Sequence, residues 1–346
     1  MEYRKAAIIL VLSFLAIALF NCNRNSQYLP LTGSYLGQSP PQNKAKIFAR
    51  GIVSTQLYER DFTISPKGDE IYYTVVLGEN SYSAIAVTRY IDDKWTKPQI
   101  AGFSKNPAYK DLEPHISPDG RKFYFVSNRP AKENKDGKEN WDIWIMDKTS
   151  EGWSEPYNPG QPLNSKAREF FPSVTKDGTI YFTREGQNVN NGIYRSRFVN
   201  GNFTTATRLP EQVNTGKARY NAFIAPDEKY IIIPVFGRKD SYGGTDYYIS
   251  FRNSMDRWTE PLNMGSQINS AAGAEWSASV SPDGKYIFFM TNREENSSNF
   301  AEKPLTMKRI KKRHCTPYNG RPNIYWMQSK IIDSLRIKAY KMSKKK

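Results

Sequence analysis

The stretch Asp111-Leu-Glu-Pro-His-Ile-Ser-Pro-Asp-Gly-Arg-Lys-Phe-Tyr-Phe125 decides how this chain folds. A short strand-like segment runs into Ser117-Pro-Asp-Gly120, and an aromatic-rich segment follows. Proline fixes φ at the second turn position, aspartate accepts local backbone hydrogen bonds, and glycine takes the left-handed conformation that closes a hairpin. The same unit recurs at Ser65-Pro-Lys-Gly68, Thr175-Lys-Asp-Gly178, Ala225-Pro-Asp-Glu228 and Ser281-Pro-Asp-Gly284. The starts of these five anchors are 52, 58, 50 and 56 residues apart. Glu228 replaces the glycine in the fourth copy, so that turn is expected to be strained or of another type.

Each anchor precedes a segment such as Lys122-Phe-Tyr-Phe125 or Lys285-Tyr-Ile-Phe-Phe289. A third segment carries an apolar or aromatic pair: Ala84-Ile85, Ile143-Trp144, Ile193-Tyr194, Tyr247-Tyr248 and Ile324-Tyr325. A fourth shows Trp-x-x-Pro in three copies, at Trp95, Trp153 and Trp258, with Phe203 at the matching place in another. These tryptophans read as packing between sheets. Four short strands per unit, five times over, describe an all-β chain folded as a five-bladed β-propeller of four-stranded blades. The fifth unit lacks its fourth strand, because Ile324-Tyr-Trp-Met-Gln328 runs into a short C-terminal helix beginning near Ser329. The segment Ile47 to Glu59 is expected to supply the missing strand and close the ring, removing free sheet edges.

The chain has 346 residues and a formal charge of +16. From Lys303 onward there are 14 basic residues and one acid, +13, which leaves +3 for everything before it. The basicity is therefore local, and a nucleic-acid-binding body is not expected. One basic block, Lys308, Arg309, Lys311, Lys312 and Arg313, falls in a segment, Leu305 to Cys315, that reads as a short helix with Thr306 as N-cap. The other, Lys341 and Lys344 to Lys346, is a terminal tail. Both read as solvated charge or as attraction to an anionic envelope surface. Two cysteines and two histidines supply neither a disulfide framework nor a His-rich metal centre, and no cofactor is expected.

Arg4 and Lys5 precede an apolar run from Ala6 to Phe20 that is too short to span a bilayer. It ends in Leu19-Phe20-Asn21-Cys22, which resembles a bacterial lipoprotein signal; Asn21 departs from the usual small residue before the cysteine. The expected division is residues 1–21 as signal peptide, 22–43 as flexible tether, 44–340 as propeller and 341–346 as basic tail. A basic insert occupies about 294–322. Lipid on Cys22 would anchor the chain to a membrane of the cell envelope, periplasmic or outer, and would leave Cys315 without a partner in the chain. A monomer is expected.

The repeats resemble the TolB-like propellers, whose WD-like repeats are built on an S-P-D-G motif, over about residues 45 to 330. Exported lipoproteins of this kind carry a last blade with a segment like Asn299-Phe-Ala-Glu-Lys-Pro-Leu-Thr306, then Asn323-Ile-Tyr-Trp326 and a closing helix. The resemblance implies a five- or six-bladed envelope propeller. TolB adds an N-terminal α/β domain that has no counterpart in this chain, so its role in the Tol complex does not carry over.

Ligands of propellers usually bind where the innermost strands begin. Six residues before each anchor stand Glu59, Asp111, Glu169, Arg219 and Glu275, and the next two positions add Arg60, Asp61, Glu113, Tyr220, Asn221 and Trp276. Such a set would bind a cation, basic groups or sugar hydroxyls, or else pair internally with arginines such as Arg168 and Arg219. The basic insert is expected to cap part of this mouth, its cations facing carboxylates. His115 reads as a packed polar residue. No Gly-x-Ser-x-Gly elbow is present, which excludes a dipeptidyl-peptidase type of hydrolase. The histidine count excludes a metal-dependent lyase of the oligogalacturonate kind, and Asp-box sialidase order is missing. The expected function is a non-catalytic binding or scaffolding module for an envelope protein or cell-wall glycan. The alternative is a carbohydrate-active enzyme using two of the mouth carboxylates, and pure spacing between membrane and wall is a third reading.

Overall fold

The structure, a computed structural model, describes residues 31–78, 80–131, 140–271, 275–293 and 304–343. Each repeat makes one small antiparallel sheet, and five such sheets in a ring form a five-bladed β-propeller. Blade 1 comprises Tyr58–Ile64, Glu70–Leu77 and Tyr82–Ile91, with Lys94–Trp95 and Gln99–Ile100 on its outer edge. Blade 2 comprises Asp111–Ile116, Lys122–Ser127, Asp142–Thr149 and Gly152–Trp153. Blade 3 runs Arg168–Val174, Ile180–Glu185, Gly192–Ser196 and Thr207–Arg208. In blade 4 the innermost strand is split into Ala218–Arg219 and Phe223–Ile224, followed by Tyr230–Phe236, Thr245–Phe251 and Leu262–Asn263.

Blade 5 is built from both ends of the chain. Ala278–Val280, Tyr286–Thr291 and Asn323–Gln328 come from the C-terminal part, and Lys46–Ile47 supplies the outer strand. Lys46 pairs with Trp326 and Ile47 with Tyr325, and the Phe48 amide then donates to the Ile324 carbonyl at 2.8 Å. Phe48 is fully buried at this seam. Its ring meets Phe62 of blade 1 at 5.2 Å and Trp326 of blade 5 at 5.3 Å, while Phe62 stacks on Phe288 at 4.2 Å. The closing strand is thus held by ladder hydrogen bonds and by aromatic packing that spans two blades.

The anchor turns form as their chemistry dictates. In blade 2 the Ser117 hydroxyl donates to Asp119 at 2.6 Å and accepts from the Lys122 amide at 2.9 Å, with Gly120 at φ +73°. Glu228 takes the same left-handed conformation, φ +56°, despite its side chain. Its carboxylate is tied down by the Tyr181 hydroxyl at 2.7 Å and by Arg252, so contacts made by the side chain offset the conformational cost that glycine avoids. The expected strain is present, and it has a partner on each oxygen.

Two segments differ from the expectation. Residues 31–43, assigned from sequence to the tether, lie against blades 1 and 5: Leu36 is fully buried, and the Tyr35 ring packs on Tyr286 and Trp326. The Trp95 indole donates to the Gly33 carbonyl at 2.8 Å. The apolar side chains in that polar stretch cover the seam, so they pack instead of trailing. Cys315 is disulfide-bonded. This corrects the expectation, drawn from lipid on Cys22, that Cys315 has no partner in the chain; Cys22, like the signal-like run before it, lies outside the described residues.

Two helices complete the fold. Met307–His314 (α1) lies between the second and third strands of blade 5, and its Thr306 side chain accepts from the Arg309 amide, as the N-cap reading requires. Lys330–Ser343 (α2) follows the third strand and packs on blade 4 through Tyr340 and Phe251, 6.4 Å apart. Replacing Phe48 with Ala opens the seam to both blades and is expected to cost about 3–5 kcal/mol. Urea unfolding of the variant checks this, and a loss below about 1 kcal/mol would show that the seam does not depend on that ring.

Candidate functional site

The channel mouth is made by the first residues of the five innermost strands, where three consecutive positions take three different environments. Six residues before the anchor, Glu59, Asp111, Glu169 and Glu275 are buried, and Arg219 is half-buried. Five before it, Arg60, Leu112, Phe170, Tyr220 and Trp276 are all half-buried. Four before it, Asp61, Glu113, Phe171, Asn221 and Ser277 are buried again. Strand alternation explains the sequence of in, out and in. The acids expected to ring the mouth therefore point into the body, and the ring that reaches solvent is the next position along.

The acids have work inside the blades. In blade 2 Asp111 pairs with Arg129 at 2.7 Å, and the same guanidinium donates to the Phe103 carbonyl at 3.0 Å. Arg129 lies over the rings of Phe125 and Trp144, at 5.0 and 5.5 Å. Blade 3 repeats the clamp: Arg184 pairs with Glu169 at 2.7 Å, donates to the Leu163 carbonyl at 2.7 Å, and lies over Phe182 and Tyr194. In blade 5 Arg293 donates to the Ile268 carbonyl and lies over Phe289 and Tyr325, while Glu275 accepts from Ser270 at 2.7 Å and Thr291 at 2.9 Å. Each clamp fastens the end of the second strand to the loop that precedes the blade.

Blades 1 and 4 break the pattern. In blade 4 Arg219 replaces the acid and turns sideways, donating to the Asn191 carbonyl at 2.6 Å, while Arg238 donates to Thr215 at 2.7 Å over Tyr248. In blade 1 Leu77 and Gly78 stand where the clamp arginine would be, and Glu59 is held by the Thr55 hydroxyl. Glu59 Oε2 has no hydrogen-bond partner among the described residues. Burial pushes the Glu59 carboxyl up to about 7, against the Thr55 hydrogen bond; Arg321 of the basic insert is close enough to pull slightly the other way. Burial likewise raises Glu169 and Glu275 to about 7.

Inside the mouth, Glu113 links four blades. Its Oε1 accepts from Arg60 of blade 1 at 3.0 Å and from Asn221 of blade 4 at 3.1 Å, and its Oε2 accepts from the Phe171 amide of blade 3 at 2.7 Å. Arg60 also contacts Asp61 at 2.7 Å. Burial, with Asp61 nearby, pushes the Glu113 carboxyl up to about 8, and Arg60 opposes the shift. Asp61, Glu113, Phe171 and Asn221 all have left-handed backbone, φ +48° to +60°, and the strand register slips there in blades 1, 2 and 3. A conformation that costs of order 1–3 kcal/mol per residue recurs at one position in four blades. It aims these side chains and amides across the channel. His115 follows this bulge and accepts from the Val174 amide at 3.0 Å; burial lowers it to about 4.

Tyr58 and Trp276 face one another at 6.5 Å on the half-exposed rim, and the Tyr220 hydroxyl bonds Thr245 at 2.7 Å. Burial raises both phenols, with Arg60 close enough to act on each. The rim is thus Arg60 among Tyr58, Leu112, Phe170, Tyr220 and Trp276. Sequence reading found Tyr220 and Trp276 but missed Tyr58, Leu112, Phe170 and the clamp arginines. The repeated Ser127-Asn-Arg129 and Thr291-Asn-Arg293 after the second strands carried a signal for the clamps. The insert leans on the approach to blade 1, where Asn319 donates to the Gln56 carbonyl at 3.0 Å and Arg50 lies over Tyr318 at 5.2 Å.

No protein-family model matches this chain, and no curated protein matches it. Among solved structures, the native arabinanase Arb43A of Bacillus subtilis aligns with 81% of this chain and 97% of its own at 14% identity, TM-score 0.44. A candidate TolB from Agrobacterium tumefaciens aligns over 65% of this chain and 70% of its own at 19% identity, TM-score 0.41. A functionally unknown protein from Desulfotomaculum acetoxidans aligns over 67% of this chain at 12% identity, TM-score 0.36, and this chain spans 62% of that protein's length. None of these likenesses carries weight below; the propeller rests on the sheets themselves.

The Glu59 geometry gives a pH signature. Its folded value, about 7, lies above the ordinary 4.5, so the folded state keeps the proton longer than the unfolded chain. Stability from this group is complete below about pH 4.5 and is lost as pH rises to about 7. Glu59→Gln removes that loss, so its stability relative to the parent should rise across this window by up to roughly 3 kcal/mol. Thermal melts at pH 4.5 and 8 measure it; a difference that does not change with pH contradicts the burial argument.

Proposed function

We propose that this chain is a non-catalytic binding module of the cell envelope whose channel mouth takes a cell-wall glycan. The observation that carries the reading is the rim: four of the five residues at the outward position are apolar or aromatic and half-buried, and the fifth is Arg60. Tyrosine and tryptophan rings offer an apolar face to the C–H side of a sugar and a polar tip to its hydroxyls. The Arg60 guanidinium, paired with Asp61 and Glu113, anchors the rim to the channel wall.

The state of the acids supports binding over turnover. A glycosidase needs two carboxyl groups that reach the scissile bond from opposite sides. Glu59, Asp111, Glu113, Glu169 and Glu275 are each at most 4% exposed, and each is engaged by a neighbouring side chain. The carbohydrate-active alternative therefore has no obvious acid and base pair among these residues.

Two measurements test the proposal. Pelleting or calorimetry with soluble peptidoglycan glycan strands should show binding that Trp276→Ala weakens roughly three- to tenfold, the worth of one stacked ring, with the strands recovered uncut. Cleaved strands, or binding indifferent to Trp276, Tyr220 and Phe170 together, overturn it. For the envelope location, fractionation of intact cells should recover the chain with the envelope, and recovery in the cytosolic fraction alone would contradict it.

A further inference from the structure

The helix α2 presents a cationic and apolar face on the side of the propeller opposite the mouth. Ile332 and Ala339 are buried and Ile331 and Leu335 half-buried, which fixes the inward side of the helix. The outward side carries Lys330, Ser334, Ile337, Lys338 and Lys341, with Tyr340 and Met342 at its margins, all exposed. Ile337 is 59% and Met342 47% exposed, and Ser334, Ile337, Lys338, Lys341 and Met342 together line a shallow hollow. The helix's one acid, Asp333, is paired with Arg336 at 2.9 Å.

The chain's entry into the fold lies on that same side. Tyr35 donates to Asp283 at 3.4 Å, and Ser329, directly before α2, donates through its amide to the Lys285 carbonyl at 2.9 Å. Both contacts are to the anchor turn of blade 5 and its neighbour. The innermost strands run from the mouth to these turns, so the turns mark the far face. Residues 1–30, with the apolar run Ala6 to Phe20, precede Leu31, whose carbonyl accepts from the Trp95 amide at 2.7 Å. In contrast, α1 and the basic insert join the second strand of blade 5 to its third, at the mouth end.

We infer that α2 lies against an anionic phospholipid bilayer, its lysines meeting headgroup phosphates and Ile337 and Met342 entering the interface. Cationic side chains around a few inserted apolar ones are what such a surface selects. A bilayer held at this face leaves the mouth pointing away from the membrane, toward the wall. The inference rests on the proposed envelope location only for the presence of a membrane, since charge and apolar exposure on α2 stand by themselves.

Lysine footprinting of the full chain tests it, with an acylating reagent and vesicles of phosphatidylcholine alone or with a quarter phosphatidylglycerol. Lys338 and Lys341 should lose at least tenfold in labelling rate with the anionic vesicles and little with the neutral ones. Lys308, Lys311 and Lys312 of α1 should label equally in both. Protection of the α1 lysines in place of those on α2, or equal labelling of α2 with both vesicles, overturns the inference. The variant Lys338→Glu/Lys341→Glu should abolish the phosphatidylglycerol-dependent protection of Lys330 while keeping the parent's thermal melt. Retained protection in the folded variant also overturns it. An intact α2 footprint in a chain that binds no glycan strands at its rim would instead defeat the proposed function alone.

Discussion

Everything in this molecule depends on the pairing of two residues, Lys46 and Ile47, with the third strand of the last blade. Five blades made in sequence would end as an open array with an unpaired edge and an uncovered aromatic face. The closing strand pairs the edge, and Phe48 beside it fills the space between blades 1 and 5. Closure also sets the channel, because only a closed ring brings the innermost strands of blades 1 and 4 to the same Glu113 carboxylate. A propeller whose seam opened would lose that contact and the mouth with it.

Closure and strand alternation together divide labour among three consecutive residues. The first faces into the blade and in blades 2 and 3 holds the clamp arginine; the second reaches the rim; the third, in blades 1 to 4, bends left-handed toward the channel. A chemist looking for catalysis would start with the first and third positions, which hold the acids. The structure makes those acids parts of the frame, and burial raises the proton affinity of Glu59, Glu113, Glu169 and Glu275. The rim is instead aromatic and apolar around Arg60, which Asp61 and Glu113 hold from below.

The ring, its five blades and its closing strand were legible in the sequence because turn chemistry is local. Ser117-Pro-Asp-Gly120 forms its hairpin from contacts within six residues, so its five copies could be recognised one by one. The N-cap at Thr306 was legible for the same reason. The direction of Glu59, Asp111, Glu169 and Glu275 was not, since alternation leaves open which of two neighbouring residues faces inward until the packing of the blades decides it. The docking of Tyr35 and Leu36 was hidden in a stretch whose overall polarity resembles a linker. Two apolar side chains were enough to seat it once the seam existed to receive them.

The central claim is that the rim, and no other face, takes the ligand. Hydrogen exchange of the intact chain with and without soluble peptidoglycan glycan strands tests it most directly. The account predicts slowed exchange in peptides that contain Arg60, Leu112, Phe170, Tyr220 and Trp276, with the anchor turns at Ser65, Ser117 and Ser281 unchanged. Slowed exchange confined to those turns or to α2, with the rim unaffected, would contradict it.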